Sequence, residues 1–426
     1  MYIHTVQSGE TLYSIARNYG VSLQLLIISN GLEKYGGRVT VGQSIVVPIP
    51  EVTGFFSAGT EVSQIAQDYG VTEYSLFRNN LQLMGNDILS QNQDIVIRYD
   101  TQKEYSFELG GYAYTFTDEN LINTEIPFFN YVIPFTYGFT RQGELISPDD
   151  SQMIGQIYRY GALPIMHIST LTGYGNFSNE LSDYLLKNQN LWPVLCENIV
   201  VNMQEKGYIG LDIDFEFLYA ENKQAYIEFL AYLKNYLSGY GYTLFVALPP
   251  KTSADQPGLL YEGVDYAAIG NIADSVLIMT YEWGYKFGEP MAVAPVNSMR
   301  RVINYAISEI DNSKIFLGIS NYGYDWPLPF VRGETQAETL SYIQAVDRAI
   351  EYNAEIKFDT DAMAPYYNYY IDGVEHEVWY EDARSIKAKF DLIREYSLRG
   401  GLYWNISRPN PQNLVIINMY VDTGKS

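Results

Sequence analysis

The feature that most constrains the fold of this chain is a series of eight short apolar runs, most of them separated by amphipathic helical patterns. The runs cover residues 110–116, 131–137, 163–170, 209–217, 242–249, 275–283, 314–323 and 400–407. Apolar residues at helical spacing fill several of the intervening stretches, for example 224–237, 299–310 and 383–398. Strands that alternate with helices form a parallel sheet. Eight such units in about 320 residues predict a (β/α)8 barrel.

The longest interval between two runs, about 324–382, contains further strand-like pieces. They include EIKFDT, APYYNYY and HEVWYE, which are too short and too closely spaced to continue the barrel pattern. We therefore expect a small α+β insertion between barrel strands seven and eight.

The residues ahead of the barrel contain an internal repeat. IARNYGV at 15–21 returns as IAQDYGV at 65–71, and the same offset of 50 residues pairs Asn30 with Asn80. Each copy predicts a short strand, two short helices and a closing strand. The expected domain boundaries are 1–49 for the first module, 50–100 for a second and more divergent module, and 101–426 for the barrel.

The fourth run, YIGLDIDFEFL at 208–218, carries three carboxylates at every second position: Asp212, Asp214 and Glu216. Side chains of a strand alternate between its faces, so these three share one face with Gly210. The other face holds Leu211, Ile213, Phe215 and Phe217. A half-buried strand with a solvated acidic face is the simple alternative.

Inside a barrel, the acidic face of this strand would point at the barrel axis, and Glu216 would reach the carboxyl-terminal rim, where barrel active sites lie. A buried column of carboxylates costs free energy unless its protons are shared, so the column indicates a functional site. A metal site is the rival interpretation, but the sequence supplies no further hard ligands at suitable spacing.

Charge excludes some partners of this chain. Asp and Glu number 50 against 27 Lys and Arg, which gives a net charge of −23. Such a chain is not drawn to nucleic acid or to an anionic membrane by charge. Affinity for a polymer would have to come from stacking and hydrogen bonds, for which 40 tyrosines and 5 tryptophans are available, although most are expected in the core.

Cysteine and histidine usage argues against a metal or other cofactor. Cys196 is the single cysteine and lies in an apolar context typical of a buried, inert thiol. His4, His167 and His376 are far apart and lack the spacing of zinc ligands. The start of the sequence shows no recognisable signal peptide, and no apolar run is long enough to span a membrane. We expect a monomer without a cofactor.

Four motifs together resemble the family 18 glycoside hydrolases. GLDIDFE resembles the signature Asp-Gly-x-Asp-x-Asp-x-Glu on the fourth barrel strand, and MTYEWGY places Met279 and Tyr281 at the Met-x-Tyr pair of strand six. LGISNYGYDW, which contains Tyr322, matches the strand-seven segment, and GGLYWNI supplies Trp404 on strand eight. The resemblance covers about residues 107–420.

The resemblance implies a site and a mechanism. The implied catalytic residues are Glu216, Asp214, Asp212 and Tyr281, and the implied substrate-binding residues are Trp404, Met279, Glu282 and Tyr322. Glu216 would protonate the leaving oxygen, and the acetamido oxygen of the substrate would be the nucleophile. Asp214 would hold the acetamido N–H, with Asp212 tuning it from below. Tyr281 would donate to the acetamido oxygen, while Trp404 would stack beneath the sugar.

Two positions depart from the family pattern. Ile209 stands where the signature has its first aspartate, so Asp212 lacks one acidic neighbour. Glu282 stands where many members have aspartate, which moves the carboxylate by one methylene.

The first repeat resembles the LysM module, on HTVQSGETLYSIARNYGV, ISNGL and VGQSIVVP. The second is a weaker match, because SAGTEVSQIA departs from the usual opening. LysM modules bind N-acetylglucosamine-containing glycans in a shallow groove, and the resemblance implies that Gly9, Glu10, Thr11, Leu12 and residues 28–31, including Asn30, form it. The alternative is that these residues only cap helices and turn the chain.

The combination of LysM modules with FSNEL, ALPPK, MTYEWGY and HEVWYEDARSIKAKF resembles the spore-cortex-lytic N-acetylglucosaminidases of endospore-forming bacteria. It implies cleavage of β-1,4 N-acetylglucosaminyl bonds in peptidoglycan, and a protein made in the mother cell and associated with the spore coat or cortex. Chitin is an alternative substrate. A catalytically silent glycan-binding coat protein is an alternative of another class, which the retention of Glu216 and Asp214 disfavours.

Overall fold

The computed structural model describes residues 1–172 and 175–424, and within them eight parallel strands close a barrel. The strands are β1 (Glu108–Tyr114), β2 (Tyr131–Phe135), β3 (Leu163–Ser169), β4 (Gly210–Asp214), β5 (Thr243–Leu248), β6 (Ser275–Ile278), β7 (Ile315–Ser320) and β8 (Gly400–Trp404). Each strand overlaps one of the eight predicted runs. The predicted (β/α)8 fold is therefore confirmed.

Helices cover the outside of the barrel. They run over Glu119–Glu125, Ser151–Arg159, Asn179–Lys187, Trp192–Lys206, Lys223–Ser238, Tyr266–Ile272, Val296–Glu309, Ala383–Glu395 and Pro411–Tyr420. On β4 the outward side chains Leu211 and Ile213 are fully buried in one apolar cluster with Phe229 of the covering helix. The apolar half of the alternating pattern thus faces the helices, as the sequence predicts.

Large side chains fill the barrel interior. A separate apolar cluster there contains Tyr112, Ile133, Ile165, Ala247, Phe245, Leu277, Phe316 and Leu402, with Ile209 and Trp404 packed against it. The interior is therefore a packed plug rather than a pore. The polar residues of the candidate site lie on top of this plug, at the carboxyl ends of the strands.

The insertion between β7 and β8 is a small α+β unit, as the sequence predicts. A five-stranded antiparallel sheet is formed by Gly323–Pro327, Glu338–Leu340, Lys357–Asp359, Ala364–Ile371 and Val374–Trp379, and a helix covers Tyr342–Glu351. Short two-stranded pairings join Gly138–Phe139 to Leu145–Ile146, and Tyr105–Ser106 to Val421–Asp422.

The two repeats share one element order. The first consists of Tyr2–Thr5, helices Leu12–Tyr19 and Leu23–Asn30, and Ser44–Val47; the second consists of Pro50–Phe56, helices Val62–Tyr69 and Glu73–Asn79, and Gln93–Tyr99. In each repeat the two strands pair antiparallel. The repeated asparagine, Asn30 or Asn80, joins the second helix to the closing strand through its side-chain amide.

Both repeats pack against the rest of the chain. Apolar residues of the first repeat share one core cluster with the insertion, and those of the second belong to the large cluster around the barrel. Hydrogen bonds also hold the first repeat in place. Thr40 Oγ1 donates to Ala354 O of the insertion at 2.7 Å, and Gln412 Nε2 of the helix Pro411–Tyr420 donates to Asn30 Oδ1 at 2.8 Å. In the described ranges, no helix combines the length and apolar character needed to cross a membrane.

Candidate active site

A cleft of about 350 Å³ opens at the carboxyl ends of the barrel strands. Six of the residues predicted from the sequence line it: Asp214, Glu216, Met279, Tyr281, Glu282 and Trp404. A volume of this size is within the range of pockets that hold small organic ligands. The strands β4, β6 and β8 therefore bring the predicted groups together in one place.

Strand β4 positions the three carboxylates. Asp212 is 1% exposed inside the barrel, and Asp214 is the last residue of the strand. Glu216 lies two residues further on and is open to the cleft. The prediction for Phe217 is wrong: it does not continue the helix-facing side, because β4 ends at Asp214 and Phe217 adopts a left-handed φ of 54° that turns it into the cleft, where it is 42% exposed.

Glu216 has the electrostatics of a proton donor. Cleft walls surround the carboxyl group and remove it from bulk water, and Asp214 and Glu282 add negative charge nearby, which raises the pKa of Glu216 to about 8. Both effects penalise the ionised form. The protonated form is therefore favoured, in a group that a substrate can reach.

Asp212 lies below Asp214 in a more enclosed position. Burial raises its pKa to about 6, against the opposing effects of His167 and of a hydrogen bond from Tyr112. The Tyr112 hydroxyl donates to Asp212 Oδ2 at 2.7 Å. Asp212 can therefore hold or release a proton near neutral pH, next to the residue expected to orient the substrate.

His167, on β3, completes the base of the site. Its Nε2 lies 3.7 Å from Asp212 Oδ2 and 3.6 Å from Asp214 Oδ2. Its Nδ1 lies 2.6 Å from Thr136 Oγ1, and that hydroxyl is 3.0 Å from the carbonyl oxygen of Tyr137. Sequence reasoning missed His167 because it weighed the histidines only as zinc ligands. The alternation in LPIMHIST already places His167 on the same face as Ile165.

Tyr281 and Trp404 form other walls of the cleft. Burial, together with nearby Asp214 and Glu216, raises the pKa of Tyr281 well above its ordinary value, so its hydroxyl stays a donor. Trp404 packs edge-on against Phe135, with ring centroids 4.8 Å apart, and against Tyr112 at 5.6 Å. The indole is thereby held in place at the end of β8.

Glu282 lines the cleft, whereas Tyr322 supports it from behind. Tyr322 and Tyr324 both donate hydrogen bonds to Glu282 Oε1, the second at 2.9 Å. Tyr322 is 4% exposed and belongs to an apolar cluster of the insertion. Tyr322 therefore lies behind Glu282 and does not line the cleft; its contact with substrate stays a prediction.

Aromatic and apolar residues that were not predicted to line the site complete the cleft. They are Phe135, Phe177, Phe217, Leu260, Tyr261 and Trp283. Most lie in loops after the strands, where no periodicity reveals which way a side chain points. Together with Trp404 they make the cleft suited to stacking on sugar rings.

Of the residues predicted to form the groove of the first repeat, some lie on the surface and others are buried. Gly9 is at an exposed turn with φ +84°, and Thr11 caps the helix Leu12–Tyr19 by accepting from Ser14 N. Leu12 is 1% exposed and Asn30 is fully buried. Leu12 fills the core of the repeat, and Asn30 joins its helix, its strand and Gln412, so the structure places both inside the repeat and not on its surface; their role in glycan binding stays a prediction.

Comparison with known proteins identifies the family. The model of "Glycosyl hydrolases family 18" matches residues 168–408, and the model "LysM domain" matches residues 4–48. The cortical fragment-lytic enzyme of Bacillus anthracis is 36% identical over 419 residues, which cover 96% of each chain. The crystal structure of the Bacillus cereus spore cortex-lytic enzyme SleL is 35% identical, with a TM-score of 0.83 over 100% of this chain and 99% of that one.

A chitinase from Chromobacterium violaceum shares the fold at 24% identity, with a TM-score of 0.68 over 74% of this chain and 98% of the chitinase. The likeness to SleL is much closer and extends through both repeats and the insertion. This chain belongs to family 18 of the glycosyl hydrolases, carries a LysM domain at residues 4–48, and is a glycoside hydrolase.

Proposed function

We propose that this chain cleaves the β-1,4 bonds made by N-acetylglucosamine in peptidoglycan, and that its substrate in the cell is the cortex of a germinating spore. Relatives that match it over nearly their full length are named for cortex lysis. Their likeness includes the repeats and the insertion as well as the barrel.

The proposed mechanism starts with Glu216, which protonates the glycosidic oxygen of the leaving sugar. The 2-acetamido oxygen of the substrate attacks the anomeric carbon from the opposite side as the glycosidic C–O bond breaks, so no protein nucleophile is needed. Water then adds to the anomeric carbon on the side that the leaving sugar occupied, the acetamido oxygen departs, and the ionised Glu216 takes the proton of that water. Asp214 orients the acetamido N–H and stabilises the cationic ring intermediate, and Tyr281 donates to the acetamido oxygen. Asp212 tunes Asp214 from below, and Trp404 supports the reacting sugar.

A single observation carries this proposal: one carboxyl group, Glu216, opens into the cleft two residues beyond Asp214, the carboxylate that ends β4, and its surroundings raise its pKa. An acid in this state is what glycosidic bond cleavage needs. Its neighbour Asp214 can then accept a hydrogen bond from the acetamido N–H.

The stereochemistry of the product tests the mechanism. Attack by the acetamido group predicts a product that retains the β configuration, and removal of that acetyl group should nearly abolish cleavage. If Asp214 instead activates a water, the product is inverted and the de-N-acetylated substrate is still cleaved. Proton NMR of the first-formed anomer distinguishes the two, and an initial α product contradicts the proposed mechanism.

The substrate is tested by comparing purified spore-cortex glycan with chitin oligomers. We expect release of fragments with reducing N-acetylglucosamine from cortex glycan, at a kcat/KM above that for chitin oligomers of equal length. A higher kcat/KM on chitin would favour the chitinase alternative. No turnover on either would favour the silent coat protein.

We further propose that 1–49 and 50–100 are LysM modules that precede a catalytic unit at 101–426, and that the exposed edge formed by Gly9, Glu10 and Thr11 contacts glycan. The protein is proposed to act as a monomer in the spore coat or cortex. Immunogold labelling of sectioned spores with an antibody to this chain checks the location.

A further inference from the structure

We propose that His167 is a positioning residue of the hydrolytic site, with a proton on Nε2 whose positive charge holds Asp212 and Asp214 together as an ionised pair. The inference rests on the proposed roles of these two carboxylates. It assigns a function to a side chain that the four family motifs of the sequence do not include.

Strand pairing places His167 where it can act on both carboxylates. Strands β3 and β4 are parallel neighbours, and His167 is in direct register with Asp212. Side chains in register on adjacent strands point to the same side, here the barrel axis. As a result Nε2 lies nearly midway between the two carboxylates, 3.7 Å from one Oδ2 and 3.6 Å from the other.

The imidazole ring is fixed in this orientation. It is fully buried, meets the ring of Tyr112 edge-on with centroids 5.4 Å apart, and packs against Phe135 at 4.9 Å. Thr136 Oγ1 lies 2.6 Å from Nδ1, and its distance of 3.0 Å to Tyr137 O allows the hydroxyl to donate there and accept from Nδ1–H. This arrangement places one proton on Nδ1 and turns Nε2 to the carboxylates.

The position of Nε2 between the two carboxylates favours a proton on that nitrogen. A bare nitrogen lone pair would face two carboxylate oxygens at less than 4 Å and would be repelled by both. An N–H there is attracted by both. Within the described residues, Nε2 is buried without a hydrogen-bond partner, and the nearest carboxylate atoms are Oδ2 of Asp212 and Oδ2 of Asp214.

The departure from the family signature gives this cation a specific role. The signature places a further acid at residue 209, but Ile209 packs against the apolar plug of the barrel. The charged neighbour of Asp212 is instead a histidine from the adjacent strand. A cation in place of an acid favours the ionised forms of Asp212 and Asp214.

The other titratable groups that face the pair come from three further elements. Tyr112 of β1, Tyr226 of the helix Lys223–Ser238 and Tyr281 after β6 are buried near the carboxylates, and burial raises the pKa of each well above its ordinary value. They stay neutral while the enzyme works. Glu216 and Glu282 lie above, on the cleft side.

The test is the pH profile of kcat/KM for His167→Asn, assayed with the substrate on which the wild type is active. Asparagine can keep a hydrogen bond with Thr136 but carries no charge. Loss of the cation should move the acid limb of the profile to higher pH by about one unit and lower kcat near pH 6 by about tenfold. KM should change less than threefold. The alkaline limb, set by Glu216, should not move.

The matched control is His376→Asn, which removes a histidine that pairs with Asp325 at 2.8 Å in the insertion. Its profile should equal that of the wild type. An unmoved acid limb in His167→Asn, with only a lower melting temperature, overturns the proposal. Full activity of His167→Gln also overturns it, because glutamine supplies an N–H without charge.

A measurement on the unaltered protein covers the case in which the variant does not fold. The chain has three histidines, so nitrogen-15 labelling of histidine gives a simple spectrum that His4→Asn and His376→Asn assign. We expect both ring nitrogens of His167 to carry protons at the pH of maximal activity. A bare Nε2 contradicts the inference alone, whereas a wild type inactive on every N-acetylglucosamine glycan contradicts the proposed function.

Discussion

At the residue scale, the chemistry depends on the different environments of two carboxyl groups at the end of one strand. Asp214 closes β4 and faces His167, whereas Glu216 lies past the strand end and faces the cleft. The surroundings of Glu216 raise its pKa and favour its protonated form. Different environments for two acids of one segment separate the role of proton donor from that of electrostatic support.

The first prediction concerns Glu216→Gln. An amide of the same shape cannot donate a proton to the leaving oxygen, so kcat should fall by about 10² to 10⁴-fold. Affinity for a soluble glycan fragment should stay within about threefold, as measured by isothermal titration calorimetry. A variant with near-normal kcat on its natural substrate would remove Glu216 from the mechanism.

The second prediction concerns pH. Because the pKa of Glu216 is raised to about 8, the acid is lost as pH rises through that value, and kcat/KM should fall there. The folded protein also binds this proton more tightly than the unfolded chain, so the contribution of Glu216 to stability declines between about pH 4.5 and pH 8. Replacement by glutamine should therefore raise the melting temperature relative to wild type more at pH 8.5 than at pH 5. An equal difference at both pH values would contradict the raised pKa.

At the element scale, the close packing of β7 against the end of β6 sets the position of Tyr281. Gly318 lies on β7, and a Cβ there would come within 2.8 Å of Tyr281 Cε1 and 2.6 Å of Ile278 O. The second contact is to backbone, which cannot move aside easily. The absence of a side chain at Gly318 therefore allows Tyr281 to reach the cleft.

The third prediction is that Gly318→Ala displaces Tyr281 or β6 and lowers kcat by about tenfold or more, since small misplacements of catalytic groups are costly. Overpacking should also cost about 1–3 kcal/mol of stability. Gly155→Ala is the matched control, because a Cβ there meets nothing within 4 Å on the helix Ser151–Arg159. Its activity should be unchanged. Equal kcat for both variants would show that Tyr281 tolerates the shift.

Periodicity and spacing predict the elements of this fold well, since each barrel strand buries an apolar face and each helix an apolar stripe. These patterns do not predict side-chain directions where a regular strand or helix ends. Phe217 follows the end of β4 and reverses face, and the contact of His167 with Asp212 depends on a strand register that one sequence does not reveal. Asn30 looks polar and accessible in the sequence, but its side chain is buried and bonds to its own helix and strand and to Gln412 of a distant helix.

At the scale of the whole molecule, contacts connect the first repeat to the cleft. The repeat shares its apolar core with the insertion. The insertion in turn holds the loop after β6, because Trp326 Nε1 donates to Gly288 O and Ala337 N donates to Lys286 O, both at 2.8 Å. That loop begins with Glu282 and Trp283, which line the cleft.

Deletion of residues 1–49 should therefore impair hydrolysis of short soluble glycans as well as binding to polymer. Residues such as Val346, Ile350 and Ile356 of the insertion would lose their cover. Exposing three or four large apolar side chains costs about 5–10 kcal/mol, comparable with the whole stability of a typical domain. We expect a lower melting temperature and a kcat reduced on soluble fragments. Normal kinetics there would show that the repeat is energetically independent.

The last prediction separates glycan binding by the first repeat from its structural support, with a change on the exposed edge. Thr11 caps its helix and is exposed. Asp caps helices as well as Thr does, so Thr11→Asp keeps the fold while adding a charge where a sugar would lie. The variant should sediment less with insoluble peptidoglycan, because a polymer held at two sites gains from effective concentration, yet hydrolyse soluble fragments normally. Thr72→Asp, the same change at a helix cap of the second repeat, should sediment like wild type. Unchanged sedimentation of Thr11→Asp would show that this edge does not contact glycan.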